Sequence, residues 1–279
     1  MKTRIISGAV LVAVLVGLLF ASTKWAPIMY IACAVLSAIG VYEALYATGI
    51  VKNKIITAVG SVFSAIFILR PLIADIFTTS TTMVIDIMDG TVVIPIFCLI
   101  QFALYLKFHK DIKLEGMLGM IVLPIIIAYA FLSFALLVSF QSYLFYVVLV
   151  FCWSAVADTG AYFVGVAIGK HKMAPVISPK KSWEGLIGGI VSSLLVTFGV
   201  CMLYYHCFDV KVNLLEILLI TPIFVLIGVM GDLTASLIKR KCEIKDFGKL
   251  IPGHGGVLDR FDSILMISAA LNILYRFVV

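Results

Sequence analysis

Long apolar segments restrict this chain more than any other feature of its sequence. Nine of them approach the roughly 20 apolar residues that a helix needs to cross about 30 Å of hydrocarbon. They lie at roughly 5–22, 26–47, 55–74, 91–106, 117–140, 143–169, 184–206, 212–238 and 259–278. Because a bilayer offers no partners for backbone polar groups, such segments predict helices. The sequence therefore predicts an all-α, polytopic integral membrane protein with about nine transmembrane helices.

The distribution of basic residues predicts the orientation of these helices. With a cytoplasmic N-terminus, all but four of the 21 lysines and arginines fall on the cytoplasmic side, as the positive-inside rule requires. The exceptions are Lys24, Arg70, Lys211 and Arg276. One predicted outer loop is acidic and carries Asp75, Asp86 and Asp89. We therefore expect the N-terminus inside, the C-terminus outside, and a net charge of +6 that faces anionic lipid rather than nucleic acid.

The N-terminal segment MKTRIISGAVLVAVLVGLLFAS has the basic start and apolar run of a signal peptide. We interpret it as a retained first helix, because eight further spans need no cleavable signal.

Polar groups at membrane depth are concentrated further along the chain. We therefore predict a scaffold of transmembrane helices at 1–150 and a catalytic transmembrane unit at 151–279, with cytoplasmic loops at 170–183 and 239–258.

Four aspartates occupy positions where a charge is costly. Asp158 and Asp232 lie inside apolar segments, and Asp259 and Asp262 open the last one. Ionisable groups in a bilayer usually mark function, and converging carboxylates need a cation or raised pKa values. Mg²⁺ takes oxygen ligands and leaves room for substrate phosphates. The sequence therefore predicts that Asp232, Asp259 and Asp262, with Asp158, hold Mg²⁺; a second cation is left open.

A plainer interpretation neutralises each carboxylate separately. A hydroxyl would satisfy Asp158, Lys239 would pair with Asp232, and Asp259 would cap its helix. Glu43 lies near the cytoplasmic end of its segment, where a structural or snorkelling role is expected.

Two basic loops offer the complementary chemistry. The segment ISPKKSWEG (177–185) places hydroxyls and ammonium groups before a helix start, which suits phosphate oxygens. Its candidate substrate-binding residues are Ser178, Lys180, Lys181 and Ser182. A basic cytoplasmic loop with capping serines is the alternative.

The second basic loop lies between the last two apolar segments. Its cations are Lys239, Arg240, Lys245 and Lys249, and its glycines include Gly253, Gly255 and Gly256. Glycines let a backbone approach a ligand closely, and His254 could donate to a phosphate. A basic, glycine-rich entrance beside carboxylates predicts the binding of Mg²⁺ and a polyphosphate.

These residues resemble the signature of phosphatidate cytidylyltransferases, also called CDP-diacylglycerol synthases. We call residues 236–262 the signature segment. The positions that carry the resemblance are Ser236, Lys239, Arg240, Lys245, Asp246, Gly248, Pro252, His254, Gly255, Gly256, Asp259, Arg260 and Asp262. The stretches DTGAY and SPKKSWEG also resemble family landmarks. Residues 1–150 resemble the family only in general hydropathy.

The resemblance implies a Mg²⁺-dependent transfer of CMP from CTP to phosphatidic acid, which yields CDP-diacylglycerol and pyrophosphate. The implied catalytic residues are Asp232, Asp259, Asp262, Lys239 and His254. The implied substrate contacts are Ser178, Lys180, Lys181, Ser182, Arg240, Lys245, Asp246, Gly255, Gly256 and Arg260. We expect a multi-pass protein of the cell (plasma or inner) membrane with its active site facing the cytoplasm. Its partners would be CTP, phosphatidic acid and the bilayer; a homodimer is open.

Three other functions fit parts of the pattern. Ion- or proton-coupled transporters also bury carboxylates, but they often contain paired repeats with broken helices, which this sequence lacks. Enzymes that consume CDP-diacylglycerol use an Asp-Gly-x-x-Ala-Arg motif, and MDGTVVIP at Asp89 lacks its alanine and arginine. Nucleotide-dependent handling of another lipid, such as a prenol, is the third alternative.

Overall fold

The computed structural model describes residues 2–49, 51–77, 90–208 and 213–278. Apolar stretches of helical length form the helices, and short polar or glycine-containing segments separate them. The described helices are α1 Lys2–Lys24, α2 Pro27–Ala47, α3 Lys54–Phe77, α4 Gly90–Lys107, α5 Leu114–Leu136, α6 Tyr143–Phe151, α7 Ala157–Ile168, α8 Trp183–Phe208, α9 Leu214–Lys241 and α10 Leu258–Val278. A π-helical turn, Cys152–Val156, joins α6 to α7.

Eight stretches of helix in the described residues are long and apolar enough to cross a membrane, with α6 and α7 counted as one span. The chain is therefore an all-α, polytopic membrane protein. The ninth predicted span corresponds to α10, which has a suitable length but is not among these eight. The count of nine and the orientation stay predictions. Among the charges used for orientation, Asp86, Asp89 and Lys211 lie outside the described residues, as does the side chain of Asp75.

The predicted cytoplasmic loop 170–183 contains a feature that the sequence analysis missed. Strands β1, Lys172–Ala174, and β2, Ser178–Ser182, pair antiparallel, with Lys172 opposite Ser182. The strands are too short for an alternating apolar pattern to predict them. The hairpin satisfies backbone groups between α7 and α8 and gives the basic residues of this loop a fixed backbone.

The first of two compact units comprises Met1–Val138 and Cys242–Arg260. Close contacts explain why the later segment belongs with the early helices. A Cβ on Gly40 of α2 would lie 3.1 Å from Leu258 Cδ2, and buried Glu43 accepts a hydrogen bond from the Leu258 amide. This division differs from the predicted one at residue 150, because most of the signature segment packs with the N-terminal helices. The functional labels of scaffold and catalytic unit stay predictions.

The second unit comprises Ser139–Lys241 and Phe261–Val279, so that α10 gives its first turn to one unit and the rest to the other. Glycines hold α7 and α8 close together: a Cβ on Gly189 would lie 2.7 Å from the Ala157 carbonyl oxygen. The π-helical turn is fixed by buried Trp153, whose Nε1 donates to Thr221 Oγ1 at 3.1 Å. Its ring stacks on Phe224 with centroids 4.4 Å apart. These contacts set the start of α7, where Asp158 lies.

Candidate active site

A cavity of about 700 Å³ in the first unit gathers much of the signature segment, and we call it the basic groove. Its lining residues are Lys245, Asp246, Gly248, Lys249, Ile251, Pro252, Gly253, His254, Gly255 and Arg260. Three of these residues are lysine or arginine and one is a histidine. The structure therefore brings together five predicted site residues, namely Lys245, Asp246, His254, Gly255 and Arg260.

A tight turn at residues 251–255 forms one wall of the basic groove. The Ile251 amide donates to the Gly255 carbonyl at 2.9 Å, and the His254 amide donates to the Ile251 carbonyl at 2.9 Å. The turn needs left-handed backbone at Gly253, with φ of 78°, and at Gly255, with φ of 87°. Only glycine adopts such angles at low cost. The conformation of the turn therefore explains these two glycines whether or not a substrate touches them.

A serine that the sequence analysis overlooked orients His254. Ser7 Oγ of α1 donates to the Pro252 carbonyl at 2.9 Å and lies 2.8 Å from His254 Nδ1. The Ser7 hydroxyl therefore contacts both the turn and the Nδ1 edge of the imidazole, and these two contacts orient the His254 ring. Nothing in the apolar pattern of α1 distinguishes Ser7 from a packing residue.

Asp259 anchors the signature segment by hydrogen bonds to backbone amides. The residue is 7% exposed, and its Oδ2 accepts from the Phe247 amide at 2.8 Å and the Gly256 amide at 2.9 Å. Asp259 lies in the first turn of α10 and its partners precede the helix, so it does not cap α10 as the plainer interpretation predicted, and backbone amides of the signature segment are its partners instead. The predicted roles of Asp259 in catalysis and metal binding stay predictions.

Glu43 is a second buried carboxylate that contacts the signature segment. It projects from α2, is 6% exposed, and its Oε2 accepts from the Leu258 amide at 3.2 Å. Of the two roles expected for Glu43, structural or snorkelling, its burial and this hydrogen bond favour the structural one. Its target, a segment more than two hundred residues away, could not be read from the sequence.

In the second unit, Asp158, Asp232 and Asp262 lie close enough for their charges to interact. Glycines of α9 make this approach possible. A Cβ on Gly231 would lie 2.7 Å from the Asp262 carbonyl oxygen, so a larger residue beside Asp232 would push α10 away. Three of the four predicted carboxylates therefore form one cluster, which we call the acidic cluster.

Lys181 of the hairpin forms an ion pair with Asp232. Its Nζ lies 2.6 Å from Asp232 Oδ2, and both side chains are about a quarter exposed, at 22% and 27%. The partner predicted for Asp232 in the plainer interpretation was Lys239; the structure places Lys239 within electrostatic range of Asp262. The Lys181 contact does not meet hydrogen-bond geometry. Its N–H groups therefore keep capacity for an anion such as a phosphate oxygen.

A second cavity, of about 230 Å³, adjoins the hairpin. Its lining includes the predicted residues Asp158, Ser178, Lys180, Lys181 and Ser182. Ser182 is buried and its Oγ accepts from the Gly185 amide at 3.1 Å, which caps α8. The capping role explains Ser182 locally, and its contact with substrate stays a prediction.

A further pair that the sequence analysis missed holds the hairpin to α8. His171 Nδ1 lies 2.5 Å from Glu184 Oε1, and the Trp183 amide donates to the His171 carbonyl at 3.0 Å.

The predicted residues Lys239 and Arg240 lie in the last turn of α9. A basic last turn complements the helix dipole and can face an anion.

The acidic cluster has the chemistry of a Mg²⁺ site but is not arranged as a complete ligand set. Across residues 2–49, 51–77, 90–208 and 213–278, no group of three or more His, Cys, Asp or Glu side chains is placed to hold a metal ion. Mg²⁺ usually binds through one or two protein carboxylates together with waters and substrate phosphates. The carboxylate oxygens of the cluster are donors of the kind that such an ion takes, and the Mg²⁺ site stays a prediction.

Comparisons with known proteins point to one family. A model described as "Cytidylyltransferase family" matches residues 2–278. A phosphatidate cytidylyltransferase of Staphylococcus haemolyticus is 47% identical over 131 residues, which cover 47% of this chain and 49% of that protein. One from Staphylococcus saprophyticus is 44% identical over 149 residues, 53% of this chain and 56% of its own. The matching region thus spans about half the length of these curated relatives.

Proposed function

Because the chain belongs to the cytidylyltransferase family, we propose that it transfers CMP from CTP to phosphatidic acid, which yields CDP-diacylglycerol and pyrophosphate. The observation that carries this proposal is the basic groove, where a signature segment resembling that of phosphatidate cytidylyltransferases lines a cavity of about 700 Å³. The relatives described above bear the name of the same activity. The apolar helices also fit a protein whose lipid substrate and product reside in the bilayer.

The reaction needs cations and positioning more than it needs a protein nucleophile. A phosphatidate phosphate oxygen bonds to the α-phosphorus of CTP, and the bond from that phosphorus to the β-phosphate oxygen breaks. The attacking phosphate is already ionised near neutral pH, since its second pKa is about 6. Lys245, Lys249 and Arg260 of the basic groove offset the charge of the triphosphate. Catalysis then depends on orientation and electrostatic stabilisation, as in other phosphoryl transfers.

We assign Mg²⁺ to Asp232 and Asp262, with Asp158 beside them; a second cation stays open. The ion would neutralise phosphate charge on a substrate bound at the acidic cluster. Lys181 serves the same cluster from the hairpin, where it both pairs with Asp232 and offers N–H groups to an anion. Lys180 and Ser178 line the same cavity and are assigned to phosphate oxygens of a substrate.

We also propose nine spans with the N-terminus and both basic loops in the cytoplasm, where CTP is found. Two cysteines test this orientation, since Cys207 lies near the outer end of α8 and Cys242 follows the inner end of α9. Variants that keep one cysteine and carry alanine at the others are treated with a membrane-impermeant maleimide on intact cells. Cys207, which is exposed, should be labelled, and Cys242 only after permeabilisation.

Labelling of Cys242 has to be measured at alkaline pH. Burial raises the pKa of the Cys242 thiol, so the reactive thiolate is scarce near neutral pH and increases as the pH approaches the raised pKa. Labelling at pH 7 and pH 9 separates slow chemistry from a membrane barrier. Labelling of Cys242 in intact cells at pH 9, without labelling of Cys207, would reverse the proposed orientation.

The activity is tested with purified protein, radiolabelled CTP, phosphatidic acid and Mg²⁺. Label should enter the lipid phase only when all components are present, and a chelator should prevent this. Diacylglycerol in place of phosphatidic acid is the control, because it lacks the attacking phosphate. Absence of labelled lipid from folded protein, or labelling without phosphatidic acid, contradicts the proposed reaction.

A further inference from the structure

Two signature glycines, Gly248 and Gly256, contact the same distant side chain. A Cβ built on either glycine would overlap the Glu43 carboxylate group. Neither glycine has positive φ, so both backbones could be adopted by alanine. The left-handed backbone that explains Gly253 and Gly255 therefore does not explain Gly248 and Gly256. What these two positions require is space, and Glu43 occupies it.

The Glu43 carboxylate has little room to move away from a larger residue. It is buried, with 6% of the residue exposed, and both Gly248 and Gly256 pack closely against it. Its Oε2 accepts the Leu258 amide at 3.2 Å. Displacement would leave a buried amide and a buried charge without their partner, which is costly.

Glu43 acts on the same short stretch of backbone as Asp259. Asp259 accepts hydrogen bonds from the amides of Phe247 and Gly256. Glu43 packs against Gly248 and Gly256. It also accepts a hydrogen bond from the Leu258 amide. Gly248 and Gly255 line the basic groove directly. A shift of the Glu43 carboxylate therefore changes the wall of the groove without any contact between Glu43 and a ligand.

We propose that Glu43 is a positioning residue for the basic groove, and that Gly248 and Gly256 are glycines because its side chain fills the space where their Cβ atoms would lie. This assignment replaces a substrate contact as the reason for Gly256. The effect on nucleotide binding rests on the proposed function, whereas the effect on the fold of the signature segment does not.

A double-mutant cycle tests the proposal. Gly256→Ala, Glu43→Ala and the double variant are purified, and the thermal midpoint without substrate and the KM and kcat for CTP are measured. We expect Gly256→Ala to lower the midpoint by about 5 °C and to raise KM about tenfold or more, with a smaller change in kcat. In the Glu43→Ala background, the same substitution should add almost no further loss, because the methyl group enters the vacated space.

Matched variants keep the test decisive. Gly199→Ala is the control for a glycine-to-alanine change, because a Cβ there meets nothing within 4 Å, and it should leave all measured values unchanged. Glu43→Gln keeps the volume of the side chain, so Gly256→Ala should be as harmful in that background as in the natural sequence. If Glu43→Ala does not yield folded protein, Glu43→Asp takes its place in the cycle, because the shorter side chain vacates part of the same space and Gly256→Ala should then cost less than in the natural sequence.

Two outcomes overturn the proposal. Additive losses in the Glu43→Ala background would mean that Gly256 serves the substrate or another neighbour, and a harmless Gly256→Ala would mean that the space is not needed. The midpoints require no catalysis. If the midpoints show the expected coupling but the protein makes no CDP-lipid, the proposed reaction is refuted and the structural role of Glu43 is kept.

Discussion

Asp232→Asn is expected to lower turnover by at least about 10²-fold, the loss typical when a charge-stabilising group is removed from an active site. The substitution removes the charge that pairs with Lys181 at 2.6 Å and one of the two carboxylates assigned to Mg²⁺. The thermal midpoint should change little, because a partly exposed ion pair contributes only about 0–1 kcal/mol. Turnover of CTP and thermal unfolding in detergent are the two measurements.

Asp111→Asn is the matched control for this substitution. Asp111 is an exposed aspartate in the connection between α4 and α5, outside the acidic cluster and the basic groove. It should keep normal turnover. A normal turnover rate in Asp232→Asn would mean that Asp232 takes no part in catalysis. A large decrease in the thermal midpoint would mean that Asp232 has a structural role instead.

Asp259→Ala is expected to destabilise the first unit and to abolish turnover. The change leaves the Phe247 and Gly256 amides without the oxygen that accepts both of them at 2.8 and 2.9 Å. Hydrogen bonds to a buried charge contribute about 1.5–3 kcal/mol each, so we expect the loss of two to lower the free energy of unfolding by about 3–6 kcal/mol. The measurement is thermal or denaturant unfolding of the detergent-solubilised protein, together with CTP turnover.

The same variant decides between the two roles of Asp259. As a backbone anchor it stabilises the protein without Mg²⁺, so the loss of stability should be equally large in a chelator. As a metal ligand alone, its removal would leave the chelated protein as stable as before. Asp246→Ala is the control, because this exposed aspartate lines the basic groove and should affect CTP binding without changing the midpoint.

The helices were predictable because hydropathy and length are local properties. The long apolar segments match the described helices, from the first at Lys2–Lys24 to the last at Leu258–Val278. The hairpin was not predictable, since strands of three and five residues carry almost no pattern. The two compact units could not be predicted either, because they depend on contacts such as the one from Glu43 to Leu258 that join distant positions.

The site was predictable as chemistry and only partly as geometry. The sequence marked carboxylates at membrane depth, and the structure gathers Asp158, Asp232 and Asp262. The sequence could not show that Lys181 is the partner of Asp232, because that contact joins a hairpin to a helix about fifty residues later. It also could not show that Asp259 faces backbone amides, since this depends on how the signature segment folds back.

The distance in sequence between Glu43 and Leu258 has a consequence for biogenesis. The N-terminal helices enter the membrane early during translation, but their unit cannot be completed until residues 242–260 leave the ribosome. Until then, α2 holds an acidic side chain whose amide partner has not been synthesised. Such a late closing contact is slow to form and leaves the nascent chain dependent on protection by the insertion machinery.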